Sequence, residues 1–392
     1  MPQLINVKAF RDFLRSGSIG GLILIACVVI SMVIANTAAG PAFESFLSQE
    51  LGYHSDTIHL RYPLLLWIND GLMAIFFLMV GLEIKRELVE GELSSFKKAA
   101  MPVFAALGGV LAPAGIYFLL NKNTPTAGGW GIPMATDIAF AIAVITMLGR
   151  RAPSSLKIFL SALAIVDDLM AILVIALFYS SDLHYQYLLY AGLIFVFLLV
   201  MNKLGVKHLA AYLLPGMLIW YFIHHSGVHA TIAGVLTAMA IPTTPGPEES
   251  PLEKLEHILV NPVNFLIMPV FALANTNIHL EPGMAQGLTT MLGLGIMLGL
   301  IVGKPLGITL FSWLSVKLGI SAQPAGASWK HILGAGMLGG IGFTMSVFIA
   351  LLSFSGQYLI LAEAKFAILT GSVLSGMLGY FTLSRLGRRA RS

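Results

Sequence analysis

The stretch ALAIVDDLMAILVIALF, residues 162–178, sets two adjacent carboxylates, Asp167 and Asp168, inside an otherwise apolar run. With its upstream neighbours the run reaches the length of a helix that crosses a hydrocarbon layer. The rest of the 392-residue chain repeats the pattern: 57% of residues are hydrophobic, 11% are charged, and mean hydropathy is +0.85. Soluble domains carry about 25% charged residues, so the polar surface is too small to cover a body of this length in water. The apolar runs are continuous rather than alternating. They point to an all-α polytopic membrane protein and away from a transmembrane barrel.

Outward from the doublet, runs of about 15–24 mostly apolar residues fall near 18–36, 63–83, 99–120, 131–148, 158–178, 186–202, 209–223, 227–241, 258–275, 288–312, 332–353 and 363–384. That gives twelve transmembrane helices, although the slight HHSG break leaves 209–241 open between one span and two. The segment before the first run holds Lys8, Arg11 and Arg15. It reads as a cytoplasmic leader to a retained span more readily than as a signal peptide. With the N-terminus cytoplasmic, 19 Lys and Arg residues fall on that side against 3 (Arg61, Lys122 and Lys365) on the other, and Lys304 lies within a span. Positive residues collect on the cytoplasmic side, so both termini are expected there. The net charge of +4 reflects this loop asymmetry and gives no reason to expect a nucleic-acid partner. A single cysteine, Cys27, excludes an internal disulfide. The longest outer loop, 37–62, contains YHSDTIHLRY, which suits either a short hairpin bounded by Gly52 and Pro63 or a plain connection.

Ionisable residues deep in a membrane are functional candidates, because each costs about 2.5–3.5 kcal/mol at a helix centre. The deep ones here are Asp137, Asp167, Asp168 and Lys304. Three acids against one base cannot neutralise themselves without a proton or a bound cation. Neighbouring helical positions differ by about 100°, so Asp167 and Asp168 have different partners: one lines a cation site with Asp137 and the other faces Lys304. Carboxylate and hydroxyl oxygens suit a hard cation, and Thr136 could add a hydroxyl or a carbonyl. No Cys/His grouping suggests a transition metal, and no cofactor is expected. Carboxylates crowded in a poorly hydrated cavity hold a proton and release it when a cation takes the same oxygens.

Asp137 follows GGWGIP, where Gly128, Gly129, Gly131 and Pro133 weaken any helix. Far downstream, GAGMLGGIGFTMSVF places Gly334, Gly336, Gly339, Gly340 and Gly342 in one span. Interruptions in corresponding spans of two halves mark the site of many secondary transporters. The same glycines also suit close helix packing. Spans four and eleven would then be broken, within blocks of spans 3–5 and 10–12.

The motifs ATDIAFA, ALAIVDDLMAI, SGVHATIAGV, KLEHIL, GKPLGI and GIGFTMSVFIA resemble those of the NhaA family of bacterial sodium/proton antiporters, in order and across essentially the whole chain. The resemblance implies one transporter domain over 1–392 in the bacterial inner membrane, with a core bundle of inverted repeats, spans 3–5 and 10–12, in which the broken spans four and eleven cross. It implies electrogenic export of sodium or lithium against proton uptake, activated at alkaline pH. Asp168 would be the favoured ligand of sodium or lithium and Asp167 the partner of Lys304, with Thr136 and Asp137 at the crossing. Glu83, Arg86, Glu87, Glu256, His257 and His229 would belong to the pH response, with Glu253 as a further candidate, and the 45–62 hairpin would form a homodimer. Two positions depart from the family's pattern: Glu253 stands where a basic residue is expected, and His225 where a lysine is. Both leave the pH profile open. A carrier for an organic substrate, an intramembrane aspartyl protease and a passive channel fit the doublet less well. A protease needs its two acids on separate helices, and a channel needs repeated filter loops.

Overall fold

A computed structural model describes residues 7–55, 59–180, 183–244, 246, 248–280 and 284–389. Arg391 and residues 56–58 of the expected hairpin lie outside them. The helices, in order, are α1 (Val7–Ala35), α2 (Gly40–Leu47), α3 (Leu64–Val89), α4 (Phe96–Asn121), α5 (Ile138–Met147), α6 (Ser154–Phe178), α7 (Tyr185–Lys203), α8 (Ala210–His224), α9 (Ile232–Ala240), α10 (Pro251–Asn275), α11 (Met291–Lys317), α12 (Trp329–Gly339), α13 (Phe343–Ser353) and α14 (Tyr358–Arg389). A 3-10 stretch, Ala127–Met134, precedes α5.

Eight helices are long and apolar enough to cross a membrane among the described residues, or up to ten if each sharply bent pair counts as one span. The sequence count of twelve exceeds this because 209–223 and 227–241 fall on helices of 15 and 9 residues. A span needs about 20. The loop 37–62 contains helix α2 followed by a hairpin, with β1 (Glu50–His54) antiparallel to β2 (His59–Pro63) and Glu50 opposite Pro63. Gly52 lies inside β1 rather than bounding it. Its φ of 120° and the Leu60 carbonyl beside it exclude a side chain there. Lys365, expected from sequence to be a loop cation, is buried within α14.

The chain divides into two compact units. The first comprises Met1–Ile25, Glu92–Ala171 and Leu280–Ser392. Here α4 and α11 approach to backbone contact, since a Cβ on Gly108 would strike the Gly307 carbonyl and one on Gly307 the Gly108 carbonyl. The second unit comprises Ala26–Gly91 and Ile172–His279, with a core that includes Leu82, Leu198, Tyr212, Ile219 and Leu252. Three helices carry a π turn: Trp67–Leu72 in α3, Val263–Ile267 in α10 and Gly299–Gly303 in α11. Pro269 and Pro305 follow the last two within two residues. A proline lacks the N–H and crowds the carbonyl four residues back, and the wider π turn absorbs both. Lys304 begins the turn after the third bulge.

Candidate functional site

The site is built where two interrupted segments meet in the first unit. The 3-10 stretch ends at Met134, the backbone runs extended through Ala135 (ψ 151°) and Asp137 (ψ 98°), and α5 starts at Ile138. The partner break separates α12 from α13, which are bent by 48°. The breaks bond to each other through the Asp137 N–H, which donates to the Ile341 carbonyl at 2.6 Å.

Each interruption exposes helix ends, partly positive at N-termini and partly negative at C-termini. Asp137 answers both N-terminal ends. Its Oδ1 accepts from Phe140 N at 3.2 Å, capping α5, and its Oδ2 accepts from Thr344 N at 3.1 Å and from the Thr344 hydroxyl, at the start of α13. Lys304 Nζ donates to the Met134 carbonyl, at the end of the 3-10 stretch, and Thr136 Oγ1 lies 2.9 Å from the Gly339 carbonyl, at the end of α12. Ser346 Oγ ties α13 to the Ile132 carbonyl at 2.7 Å.

The glycines of the second break serve approach rather than unusual dihedrals. Gly340 (φ −74°) and Gly342 (φ −96°) hold angles open to any residue. A Cβ on Gly340 would run into the Leu300 carbonyl and Ser375 Oγ, and one on Gly342 would meet the Ala135 carbonyl at 3.0 Å. Gly336 and Gly339 face α11 as closely: a Cβ on the first would lie 2.9 Å from Pro305 Cα, and one on the second 3.1 Å from Ile308 Cδ1. Helix breaking and close packing are therefore two uses of one motif.

The doublet divides as helix geometry requires. Asp167 Oδ2 accepts from Lys304 Nζ at 2.6 Å and from Thr136 Oγ1 at 2.6 Å, and both side chains of the ion pair are fully buried. Asp167 Oδ1 has no hydrogen-bond partner among the described residues. Asp168 is buried too, at 3% exposure, about 100° round the helix from Asp167. Asp137 stands at the crossing, with its oxygens engaged by two helix N-termini. The two positive and two negative helix ends cancel in sum. The cluster is left with three carboxylates, Asp137, Asp167 and Asp168, against the single ammonium of Lys304, all within 3% of complete burial. Among the described residues no group of three or more His, Cys, Asp or Glu side chains is placed to hold a metal ion.

The remaining candidates lie in the second unit and fall into separate groups. Arg86 Nε reaches Glu256 Oε2 at 2.9 Å and Oε1 at 3.2 Å, and its Nη1 reaches Glu87 at 3.1 Å. Glu83, half-buried, stands one turn before Glu87 on α3. Glu253 is occupied locally: it forms a capping box with Ser250 at the start of α10, with Oε2 accepting from Ser250 N at 2.8 Å. His257 is exposed and pairs with Glu249 at 2.6 Å. His229 lies apart from these, with Nε2 3.6 Å from Asp70 and Nδ1 2.9 Å from the Thr231 hydroxyl.

Several residues escape a reading of the sequence. Asp70 sits in the apolar run 63–83, and the rule that singles out Asp137 applies to it equally. His224 pairs with the same carboxylate at 3.1 Å. Lys85 caps α9 through the Met239 and Ile241 carbonyls, at 2.7 and 2.5 Å. Thr344, which holds Asp137, carries no signal beyond its place in GIGFTMS.

The chain matches the family model described as Na+/H+ antiporter 1 over residues 11–383. It is 64% identical over 385 residues to the Na(+)/H(+) antiporter NhaA 2 of Flavobacterium johnsoniae, covering 98% of this chain and 94% of the relative. It is 50% identical over 374 residues to Na(+)/H(+) antiporter NhaA of Flavobacterium psychrophilum, covering 95% of each. With the protein of the same name from Helicobacter pylori it shares 46% over 421 residues, covering 97% of this chain and 96% of the relative. Apolar helices, a paired break and a buried acid cluster thus accompany a match along nearly the full length, and the chain belongs to the NhaA family of Na+/H+ antiporters.

Proposed function

We propose that the chain exchanges sodium or lithium for protons at the buried cluster, with more protons than cations moved per cycle. The observation that carries this reading is the charge of the site: three carboxylates and one ammonium, buried together. Ions in a poorly hydrated interior are costly unless balanced. Two excess negative charges therefore call for protons or a cation, and the capacity to take up to two protons makes the exchange electrogenic. Asp168 is the primary ligand, a buried carboxylate beside the Lys304-bound Asp167 on α6. Asp167 gains or loses its hold on Lys304 as the site loads, while Thr136 and Asp137 keep the crossing assembled. Sodium and lithium are cargo, and the chemistry calls for no cofactor.

The antiporter lies in the bacterial inner membrane, with twelve spans and both termini cytoplasmic; α8 and α9 then cross as short helices. Spans 3–5 and 10–12 form the inverted-repeat core, and the 45–62 hairpin joins a homodimer, a reading supported by its exposed Leu51 and Tyr53. Activity rises toward alkaline pH, with Glu83, Arg86, Glu87 and Glu256 as the responding group. The test is dissipation of an imposed pH gradient in proteoliposomes on adding sodium, lithium or potassium at several pH values. Sodium and lithium should collapse the gradient, faster at alkaline pH and faster still when a potassium/valinomycin shunt removes the opposing potential. Collapse by an organic solute alone, or no response to any cation, would overturn the reading.

A further inference from the structure

The hairpin carries a pair of side chains that ion exchange at the acid doublet does not use. His54 ends β1, His59 begins β2, and the register sets them directly opposite each other. Side chains alternate between the two faces of a strand pair. Leu51, Tyr53, Leu60 and Tyr62 therefore share one face, and Glu50, His54, His59 and Arg61 share the other. All four residues of the second face are exposed. Arg61 Nε pairs with Glu50 Oε2 across the strands at 3.0 Å, and Gly52, opposite Arg61, adds no side chain to that face.

His54 Nδ1 and His59 Nδ1 lie 3.1 Å apart, with ring centroids 4.6 Å apart and planes tilted by 47°. With no metal ion between them, one ring carries its proton on Nδ1 and donates to the other. The same separation suits two ligands of one ion. Nitrogens about 2.0–2.1 Å from a metal and 3.1 Å from each other subtend about 98° at it. That lies between the right angle of a square-planar site and the wider angle of a tetrahedral one, and small rotations of two exposed rings reach either. The backbone beneath them is held in place. The Tyr62 hydroxyl donates to the His59 carbonyl at 2.9 Å, Trp67 Nε1 to the Leu51 carbonyl at 3.0 Å, and the Leu64 N–H to the Gln49 carbonyl at 2.9 Å. A ligand pair fixed in advance has less freedom to lose on binding.

We propose that His54 and His59 form a two-imidazole clip for a late divalent transition-metal ion (copper, nickel or zinc) on the exposed face of the hairpin. Imidazole nitrogen suits these ions, whereas magnesium and calcium take oxygen ligands. The order of affinity runs from copper down to nickel and zinc. Two side chains supply two positions, and water fills the others on this open face. On binding, the proton held between the rings passes through water to Nε2 of the ring that carried it. Both imidazoles stay neutral and no net proton is released. The bound ion ties the last residue of β1 to the first of β2. Sequence spacing conceals the clip, because the two histidines stand five positions apart and only strand pairing brings them together. The site is independent of the acid cluster and stands whether or not that cluster exchanges ions as described above.

The test is a titration of copper(II) chloride into full-length, tag-free protein at about pH 7.5, where ordinary imidazole is neutral, read by electron paramagnetic resonance. The unaltered chain should fill one saturable site per chain, with a signal coupled to two imidazole nitrogens, and an excess of magnesium or calcium should leave it loaded. His54→Gln and His59→Gln should each lose that signal. His257→Gln, at the exposed pair with Glu249, should keep it. A two-nitrogen copper signal that survives in either hairpin variant, or no saturable copper site in the unaltered chain, overturns the proposal. Sodium-driven proton exchange, recorded without copper on the same preparations, should be unchanged by the hairpin substitutions, which separates failure of this site from failure of the exchange reading.

Discussion

The Asp167–Lys304 pair and the Arg86–Glu256–Glu87 group are both salt bridges with acid in excess, yet their surroundings set them different tasks. Asp167 and Lys304 are completely buried at 2.6 Å, whereas Arg86 keeps 33% of its side chain exposed. In the dry cluster helix ends, a hydroxyl and the opposite charge answer Asp137 and Asp167, and under the proposed exchange protons or a cation balance the remaining charge. At Arg86 water and salt reach the guanidinium and weaken the same kind of contact.

The contrast is sharpest in mutation. Asp168→Asn should remove sodium-dependent proton flux in proteoliposomes while leaving the folded protein intact, since it deletes a charge and keeps the shape. Lys304→Ala should come next. Breaking a buried pair from one side costs about 3–5 kcal/mol, because it leaves Asp167 uncompensated and removes the donor to Met134. A lowered melting temperature together with lost transport is expected, and adding Asp167→Asn should recover part of the stability but none of the transport. An unchanged melting profile for Lys304→Ala would erase the distinction between the two regions. Arg86→Ala should cost less than Lys304→Ala, since a third of the Arg86 side chain is exposed, and should move the pH–activity curve more than the maximal rate. The smallest effect is expected at Glu253. Glu253→Gln preserves a capping box and should leave both the melting temperature and the pH–activity curve in place. A shifted curve would transfer that residue from helix capping to the pH response.

Much of the dry region is legible in the sequence because hydrocarbon makes charge conspicuous. Asp137, the doublet and Lys304 stand out in apolar runs, and the glycines of 334–342 mark a break. The partners of Asp137 are not legible: Thr344 is 207 residues away, and no local pattern links the two. Asp70 answers to the same rule but is masked by its polar neighbour Asn69, which makes the pair resemble the rim of a span. Lys365 resembles a loop cation because it stands at the edge of the last apolar run, although α14 begins seven residues earlier. Gly52 resembles a strand boundary, although its φ of 120° serves the strand interior. The span count is limited for a different reason. The runs 209–223 and 227–241 register in the sequence, but α8 and α9, at 15 and 9 residues, are shorter than the about 20 residues that a span needs.

The central claim is that proton and sodium compete for the same buried carboxylates. It is tested most directly by adding sodium to lightly buffered, detergent-solubilised protein and recording the protons released. The unaltered chain should release protons at alkaline pH, saturably in sodium, and Asp168→Asn should release none. Equal release from both would contradict the claim and place the exchange site elsewhere in the chain.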